Sequence, residues 1–362
     1  MGYVAVRGGE DAIRHSETLL AFFRRREGRP GITVPQIREQ MRLAVDRVMA
    51  EGSLYDETLA ALAVKQAEGD LVEAAFLLRA YRSTLPRVGT TPALQPGRMR
   101  LIRRISSAFK DIPGGQVLGP TRDYTQRLLD FSLLEGEGAP VESPRVSDPD
   151  GAGPPERVSA YLRAERLLPD PAGTPAPPVD ITRDAVSFPM PRSARLQALC
   201  RGEEGGLLAL AYSSMRGFGN IHPTVAELRV GYLPVEVTIP GLDAPVTIGE
   251  ILVTEVELIS RSDLDGETRG PVRFSLGYGF AYGQNERRAI SMAILDRTMQ
   301  ARVPRAPAED EEFVIQHIDG IEAQGFTNHW KLPHYVDFQS ELDRFRAMRD
   351  TPRTAPPVEV AP

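Results

Sequence analysis

Three of the five histidines of the chain lie in one short stretch, residues 313–338. Two of them, His329 and His334, are five residues apart, and Pro333 directly precedes the second. Because proline cannot continue a helix, we expect His334 on a turn or an extended segment, so the pair does not share one helix face. Imidazoles held on such backbone could bind a divalent metal or transfer a proton.

Two histidines alone are an incomplete metal site, since zinc normally has three or four protein ligands. The only cysteine, Cys200, is distant in sequence. Further ligands would come from elsewhere in the fold, from substrate or from another protein. The alternative is structural: one histidine packs beside Trp330 and the other binds a backbone carbonyl.

A second candidate site is the basic segment 98–131, which contains a glycine-rich turn. Five basic residues precede its first acidic residue, Asp111: Arg98, Arg100, Arg103, Arg104 and Lys110. Guanidinium groups beside backbone N–H donors suit phosphate oxygens. We therefore predict a phosphate-binding set made of Arg103, Arg104, Lys110, Gly114 and Gly115. The segment has no Walker A motif, and the alternative is a basic helix that faces an acidic partner.

The elements around these residues predict an α+β fold. Residues 1–135 show helical periodicity, with a capping box at Thr33 and Gln36 and a further helix from Asp123 that buries Leu128, Leu129 and Phe131. Arg79, Arg82 and Asp46 could be functional, but we expect these charges on solvated helix faces. Residues 136–180 are rich in Pro and Gly and predict a linker with one short helix near 157–168.

The C-terminal half, residues 181–345, predicts a mostly antiparallel sheet with packed helices. Alternating apolar residues at 228–239, 246–259 and 271–283 favour strands, and a helix follows Asn285. The glycines at 277, 279 and 283 indicate either an anion site or close packing. Residues 346–362 are expected to form a disordered tail.

Composition excludes several classes of function. The net charge of −6 over 362 residues argues against a nucleic-acid binder. One cysteine excludes an iron–sulfur cluster held by this chain alone. We find no apolar run near the ~18 residues that span a bilayer and no signal-peptide pattern, so we expect a cytoplasmic protein without a membrane partner.

Long stretches in order resemble the I subunit of the carbon–phosphorus lyase core complex, the PhnI family. The clearest are FLLRAYRSTL, RRISSAFKDIPGGQVLGPTRDYTQRLLDF, RLQALCRGEEGGLLALAYSSMRGFGNIHP and GFTNHWKLPHYVDFQSEL. The resemblance covers almost the whole chain except residues 136–180 and the two ends of the acidic segment at 308–313.

This resemblance implies a role in phosphonate catabolism. In the family, the I subunit acts with the G, H and L subunits to displace the adenine of ATP by methylphosphonate, giving α-D-ribose 1-methylphosphonate 5-triphosphate. A purine nucleosidase activity on ATP or GTP, with water in place of the phosphonate, is also implied. Cleavage of the carbon–phosphorus bond belongs to the J subunit, which carries the iron–sulfur cluster. The family's metal-binding pair, at the interface with the J subunit, falls on His329 and His334 and implies zinc or another divalent metal.

Local chemistry adds candidate catalytic groups that the resemblance does not mark. Cleavage at the ribose anomeric carbon needs a carboxylate near the developing positive charge, and we predict Asp111 or Asp123 for it. Two alternatives remain: a non-catalytic scaffold that lends its histidines to the J subunit, and an unrelated metal-dependent hydrolase that acts alone.

Overall fold

The computed structural model describes residues 9–28, 30–136, 155–170, 177–216, 222–239, 241–242, 244–261, 273–301 and 303–351. Its contacts divide the chain into two compact units, residues 32–321 and residues 1–31 with 322–362. The described part contains twelve α-helices and one four-stranded antiparallel sheet, which confirms the α+β prediction. None of its helices is long and apolar enough to cross a membrane.

Helices contain more of the described residues than strands do. In order they are α1 (Gly9–Phe23), α2 (Val34–Gln40), α3 (Arg42–Gly52), α4 (Glu57–Gln66), α5 (Leu71–Thr84), α6 (Val158–Ala164), α7 (Arg192–Arg201), α8 (Glu204–Met215), α9 (Glu286–Thr298), α10 (Glu311–His317), α11 (Gly320–His329) and α12 (Tyr335–Asp350).

Helices α2 to α5 form a small bundle, and N-cap residues mark the starts of α2, α4 and α5 in the sequence. The capping box is confirmed: the Thr33 backbone N–H donates to Gln36 Oε1 at 2.9 Å, and the Gln36 N–H donates to the Thr33 hydroxyl. Asp56 caps α4 and Asp70 caps α5 in the same way, each accepting backbone N–H groups of the first turn. Apolar side chains of the four helices meet in a buried cluster that includes Ile37, Val48, Met49, Val64 and Leu78.

The sheet has the order β1 (Arg100–Ile105), β2 (Thr224–Val237), β3 (Val246–Arg261), β4 (Phe274–Tyr282). Its first strand comes from the basic segment, so the alternative of a basic helix there was wrong. Since side chains alternate across a strand, each strand gives one set of residues to each sheet face. One face packs on α8 and α9 around Leu207, Leu228, Val256, Met292 and Leu295.

Two glycines of β4 allow α9 to lie directly on the sheet. A Cβ atom at Gly279 would be 1.9 Å from the carbonyl oxygen of Ala289, and one at Gly277 would be 2.0 Å from that of Ala293. The close-packing interpretation of these glycines is therefore confirmed.

The opposite sheet face is covered at one end by α6 and by the turn that follows β1. Ile112, Val158, Leu162, Ala226 and Ile259 form a small buried cluster there. Helix α6 lies within the predicted linker and confirms its one short helix. Residues 137–154 and 171–176 of that linker lie outside the described residues.

The helix predicted from Asp123 and the predicted start of the C-terminal tail at residue 346 are both wrong. No helix starts at Asp123: Arg127 has a φ of 56°, which interrupts a right-handed helix, and only a short 3-10 turn follows at Phe131–Leu134. Leu128 and Leu129, predicted as core, are 77% and 83% exposed, and Phe131 is exposed too. Helix α12 extends to Asp350, past the predicted start of the tail at 346, and residues 352–362 lie outside the described part.

The contact between β4 and α9 generates a stability prediction. Gly279→Ala should lower the free energy of unfolding by about 1 to 3 kcal/mol, because the added methyl group forces the helix and the strand apart. Urea unfolding followed by circular dichroism measures this. Gly249→Ala in β3, where a Cβ meets nothing within 4 Å, is the matched control and should change stability by about 0.5 kcal/mol or less. Equal stability of the two variants would contradict the close approach.

Candidate functional site

The two neighbouring arginines of β1 are fully buried and lie on opposite sheet faces. Arg103 binds Asp123 Oδ2 at 2.6 Å and Glu286 Oε1, at the start of α9, at 3.0 Å. Arg104 binds the buried Glu227 Oε1 of β2 at 2.5 Å. A buried guanidinium group is stable only when carboxylates and carbonyl oxygens compensate its lost hydration. Both predicted phosphate ligands are thus paired within the protein in this structure.

The predicted glycine turn lies against Arg104. Gly114 and Gly115 have φ values of +76° and +75°, which side chains rarely adopt. The Arg104 guanidinium donates to the carbonyl oxygens of Pro113 and Gly115, and to that of Glu156 at 2.8 Å. The turn therefore presents carbonyl oxygens to the arginine, and a role of these groups in binding phosphate stays a prediction.

The other predicted site residues of this segment are accessible. Lys110 and Asp111 are exposed on the turn after β1. Asp123 keeps 44% of its side chain exposed while it binds Arg103 and, at 3.2 Å, Arg127. The structure thus brings Asp123 and Arg103 together, and Arg104 and the glycine turn together.

A buried carboxylate, Asp46 of α3, was not among the predicted site residues. Its Oδ2 accepts the Gln284 backbone N–H at 3.0 Å, and only 2% of the residue is exposed. The Gln284 side chain in turn donates to the carbonyl oxygen of Pro120 at 2.8 Å and accepts from Arg42 at 2.9 Å. Burial raises the pKa of Asp46 to about 6. The prediction that Asp46 is solvated was wrong, because the loop before α9 folds over this face of α3.

A second buried ion network joins α3 to α9. Glu51 is bonded to Arg288, which is fully buried, and to Arg47 at 2.9 Å. Arg79 donates to the Glu51 carbonyl oxygen and binds Asp319, both at 2.7 Å. Arg79 therefore takes part in the ion network, and the prediction that it is solvated was wrong.

Charges also fill the middle of the sheet face that α6 covers. Glu255 of β3 is bonded to Arg229 of β2, and it accepts from Arg157 at 2.7 Å and from the Tyr278 hydroxyl at 2.9 Å. Burial raises the pKa of Tyr278 well above its ordinary value and also raises that of Glu257, which binds Arg157 at 2.8 Å. The carboxylates in this row are matched by arginines, so we interpret the row as structural.

The histidine pair lies in the smaller unit, on the turn between α11 and α12. His329 is the last residue of α11 and His334 is the N-cap residue of α12, as expected for a pair that does not share a helix face. Their ring centres are 5.4 Å apart at an interplanar angle of 62°. Trp330 stacks on His334 at 5.4 Å and contacts His329 at 4.8 Å.

Both imidazoles fit a role as metal ligands. Nδ1 of His329 lies against the carbonyl oxygen of Phe326, and Nδ1 of His334 is 2.6 Å from that of Leu332. A proton on Nδ1 that is donated to a carbonyl leaves Nε2 as the ligating nitrogen. Nε2 of His334 is buried without a hydrogen-bond partner. Two imidazoles on one tetrahedral zinc have ring centres about 5 Å apart, close to the observed separation.

The remaining ligands of such a site are not assembled in the described part of the chain. Among these residues, no group of three or more His, Cys, Asp or Glu side chains could hold a metal ion. The structural alternative required one histidine beside Trp330 and the other on a backbone carbonyl, and both kinds of contact are also present.

Comparison with known proteins identifies the family of this α+β chain. A family model described as "Bacterial phosphonate metabolism protein (PhnI)" matches residues 2–352. The chain therefore belongs to the PhnI family.

Curated relatives match over nearly full length. The α-D-ribose 1-methylphosphonate 5-triphosphate synthase subunit PhnI of Rhizobium meliloti (strain 1021) is 51% identical over 96% of this chain and 95% of its own. The subunit of the same name from Escherichia coli (strain K12) is 48% identical over 96% of this chain and 98% of its own. HtxH of Stutzerimonas stutzeri, which its name places among C-P lyase subunits, is 50% identical over the full length of both chains.

The raised pKa of Asp46 generates a prediction about pH and stability. The group binds its proton more tightly in the folded state, so stability should fall as the pH rises from about 4 to about 6. A shift from 3.8 to about 6 corresponds to about 3 kcal/mol. Asp46→Asn keeps an oxygen that can accept the Gln284 N–H and should remove this decrease. Urea unfolding of both proteins between pH 4 and 7 measures the difference.

The matched control is Asp130→Asn. Asp130 is exposed, and the Ser132 hydroxyl holds the pKa of its carboxyl below the usual value. That variant should therefore retain the decrease seen in the unchanged protein. Parallel curves for Asp46→Asn and the unchanged protein would show that Asp46 is not desolvated.

Proposed function

We propose that this chain is a subunit of the enzyme that forms α-D-ribose 1-methylphosphonate 5-triphosphate in the carbon–phosphorus lyase system of phosphonate catabolism. The observation that carries the proposal is identity of 51% and 48%, over nearly the full length, to two subunits named for that synthase. We place the chain in the cytoplasm, where ATP is available.

The proposed reaction is a substitution at the ribose anomeric carbon of ATP. A methylphosphonate oxygen forms a bond to C1′, the bond from C1′ to N9 of adenine breaks, and adenine leaves with a proton. With water as the nucleophile, the same cleavage of ATP or GTP gives the free base and ribose 5-triphosphate. The protein must hold the triphosphate with cations and stabilise the oxocarbenium-like carbon with a carboxylate.

The accessible candidates for these roles are three residues of the basic segment. Lys110 is proposed for the triphosphate, and Asp111 or Asp123 for the carboxylate, since all three reach solvent. Arg103 and Arg104 can reach a phosphate only after their ion pairs with Asp123, Glu286 and Glu227 open. Gly114 and Gly115 would move together with Arg104.

The chain is proposed to act with the G, H and L subunits and to adjoin the J subunit. The relatives are named as subunits, and one exposed segment fits a protein interface. Apolar side chains that are at least 70% exposed recur over seven residues: Leu128, Leu129, Phe131, Leu133 and Leu134. An exposed apolar run of this density typically marks a protein interaction site.

A scaffold role without catalysis is the second candidate. The burial and pairing of Arg103 and Arg104 favour it, because neither guanidinium group is available to substrate in this structure. In that case the chain would dock its partners and supply His329 and His334 to the J subunit.

Free-base release tests the catalytic proposal. The purified chain is incubated with ATP, with and without the G, H and L subunits and methylphosphonate, and adenine is quantified by liquid chromatography. We expect adenine together with the ribose phosphonate product when all components are present. Lys110→Gln should lower the rate at least about tenfold if it holds the triphosphate, whereas Lys65→Gln on α4 should not. Absence of adenine from a verified complex would leave the scaffold role.

Zinc content tests the histidine pair. We propose that His329 and His334 bind zinc or another divalent metal with ligands from the partner or substrate. In the purified complex, His329→Ala and His334→Ala should each lower bound zinc at least about tenfold, because each removes one ligand. The control is His317→Ala, whose ring also meets a carbonyl oxygen but stacks on Phe313. Zinc retained in both variants would support the structural alternative.

A further inference from the structure

The loop of residues 117–123 lies against β1, the edge strand of the sheet. The Arg104 N–H donates to the Val117 carbonyl oxygen, and the Val117 N–H donates to the Arg104 carbonyl oxygen, both at 2.7 Å. Gly119 has a φ of +59°, and a Cβ atom there would be 2.2 Å from the carbonyl oxygen of Ile102. Backbone contacts thus bring this loop close to the strand.

Arg103 of β1 connects the end of this loop to helix α9. Its guanidinium group donates to the Leu118 carbonyl oxygen and binds Asp123 Oδ2 at 2.6 Å. The same group binds Glu286 Oε1 at 3.0 Å. Arg103 is fully buried, whereas 44% of the Asp123 side chain and 17% of the Glu286 side chain are exposed. One buried cation therefore holds an accessible carboxylate of the loop and a less accessible one of the helix.

Gln284 makes a second connection between the loop and α9. Its side-chain amide donates to the Pro120 carbonyl oxygen at 2.8 Å and to Glu286 Oε1 at 3.0 Å. Its side-chain oxygen accepts from Arg42 at 2.9 Å, and its backbone N–H donates to Asp46 Oδ2 at 3.0 Å. Only 9% of the residue is exposed. Any rotation of the Gln284 side chain would break several of these hydrogen bonds at once.

The second carboxylate on Arg103 allows Asp123 to interact with a substrate. If Asp123 were the only carboxylate on Arg103, its movement would leave a buried guanidinium group without a counter-ion. Because Glu286 also binds Arg103, that charge stays compensated. Within the described part of the chain, the Asp111 carboxylate is exposed and makes no hydrogen bond or ion pair. Of the two candidate carboxylates, only Asp123 is therefore held in position by the surrounding structure.

We propose that Glu286 and Gln284 are positioning residues that hold the carboxylate of Asp123 for the synthase reaction. Glu286 acts through Arg103, and Gln284 acts through the carbonyl oxygen of Pro120. Asp123 then stabilises the oxocarbenium-like ribose carbon while adenine leaves. A displacement of about 1 Å at such a group can lower a rate about a hundredfold. The reaction assigned to Asp123 rests on the proposed function, whereas the two connections that hold its carboxylate do not.

Kinetics of the complex with the G, H and L subunits test the positioning. The constants kcat and KM for ATP are measured from adenine release with methylphosphonate present, per folded complex. Glu286→Gln and Gln284→Ala should each lower kcat at least about tenfold and change KM about twofold or less, because a displaced Asp123 loses transition-state stabilisation and not ATP binding. The matched control is Glu236→Gln, which removes an ion pair of the same kind with Arg98 at 2.6 Å and should leave both constants unchanged.

Hydrogen–deuterium exchange of the same complexes gives a readout that needs no activity. Amides of the loop 117–123 should exchange at least about tenfold faster in Glu286→Gln and in Gln284→Ala, because each change removes a bond that holds the loop. Glu236→Gln should leave this exchange unchanged. Gln284→Ala leaves the ion pairs of Arg103 intact, so it still tests the proposal if Glu286→Gln fails to fold.

The outcomes separate the positioning from the proposed function. Loop exchange that neither variant accelerates would overturn the positioning, even if kcat falls. Faster exchange with unchanged kcat, in a complex that releases adenine, would overturn the need for a fixed Asp123. Faster exchange in both variants, when the unchanged complex forms no product, would retain the positioning of Asp123 and reject the synthase function.

Discussion

The fold depends on carboxylates and carbonyl oxygens that neutralise and hydrogen-bond several buried arginine side chains. Arg103, Arg104 and Arg288 are fully buried, and each meets carboxylates or carbonyl oxygens that come from other elements. Removing one partner of such a buried pair typically costs about 3 to 5 kcal/mol. Because that penalty is a large fraction of the stability of a domain, the pairs fix which elements adjoin: β1 with β2 and α9, and α3 with α9. The apolar clusters supply most of the driving force for folding but are less specific about partners.

The two faces of the sheet show how alternation along a strand separates these tasks. Leu228 and Val256 pack beneath α8 and α9, whereas Arg229 and Glu255, one residue along each strand, lie on the opposite face and bind each other. A shift of one residue in strand register would exchange the apolar and the charged side chains and place the charges against the apolar helices. At the end of this charged row, Thr224 and Ile259 lie on the same sheet face. A cavity of about 300 Å³ opens there.

Local sequence signals predicted much of the fold. The features that they missed depend on contacts between residues that are remote in sequence. The capping box at Thr33, the three long strands and the packing glycines follow from neighbouring residues, and all are confirmed. The strand β1 was missed, since its basic residues resemble an exposed segment until Glu227 and Glu286 are placed beside them. Asp46 was missed for the same reason: its burial depends on Gln284, which is remote in sequence. The placement of His329 and His334 on a turn was predicted because both residues and the intervening proline lie within six residues of the chain.

The distinction between buried and exposed cations also bears on substrate recognition. An exposed ammonium group such as that of Lys110 exchanges water for an anion with little change in its surroundings. Arg103 would first have to leave Asp123 and Glu286, and Arg104 would have to leave Glu227, which would then remain buried without its cation. Binding energy for a phosphate would be spent on that rearrangement. If this chain binds an anionic substrate, we therefore expect exposed cations to bind it, whereas the arginines of β1 hold the strand beside the glycine turn.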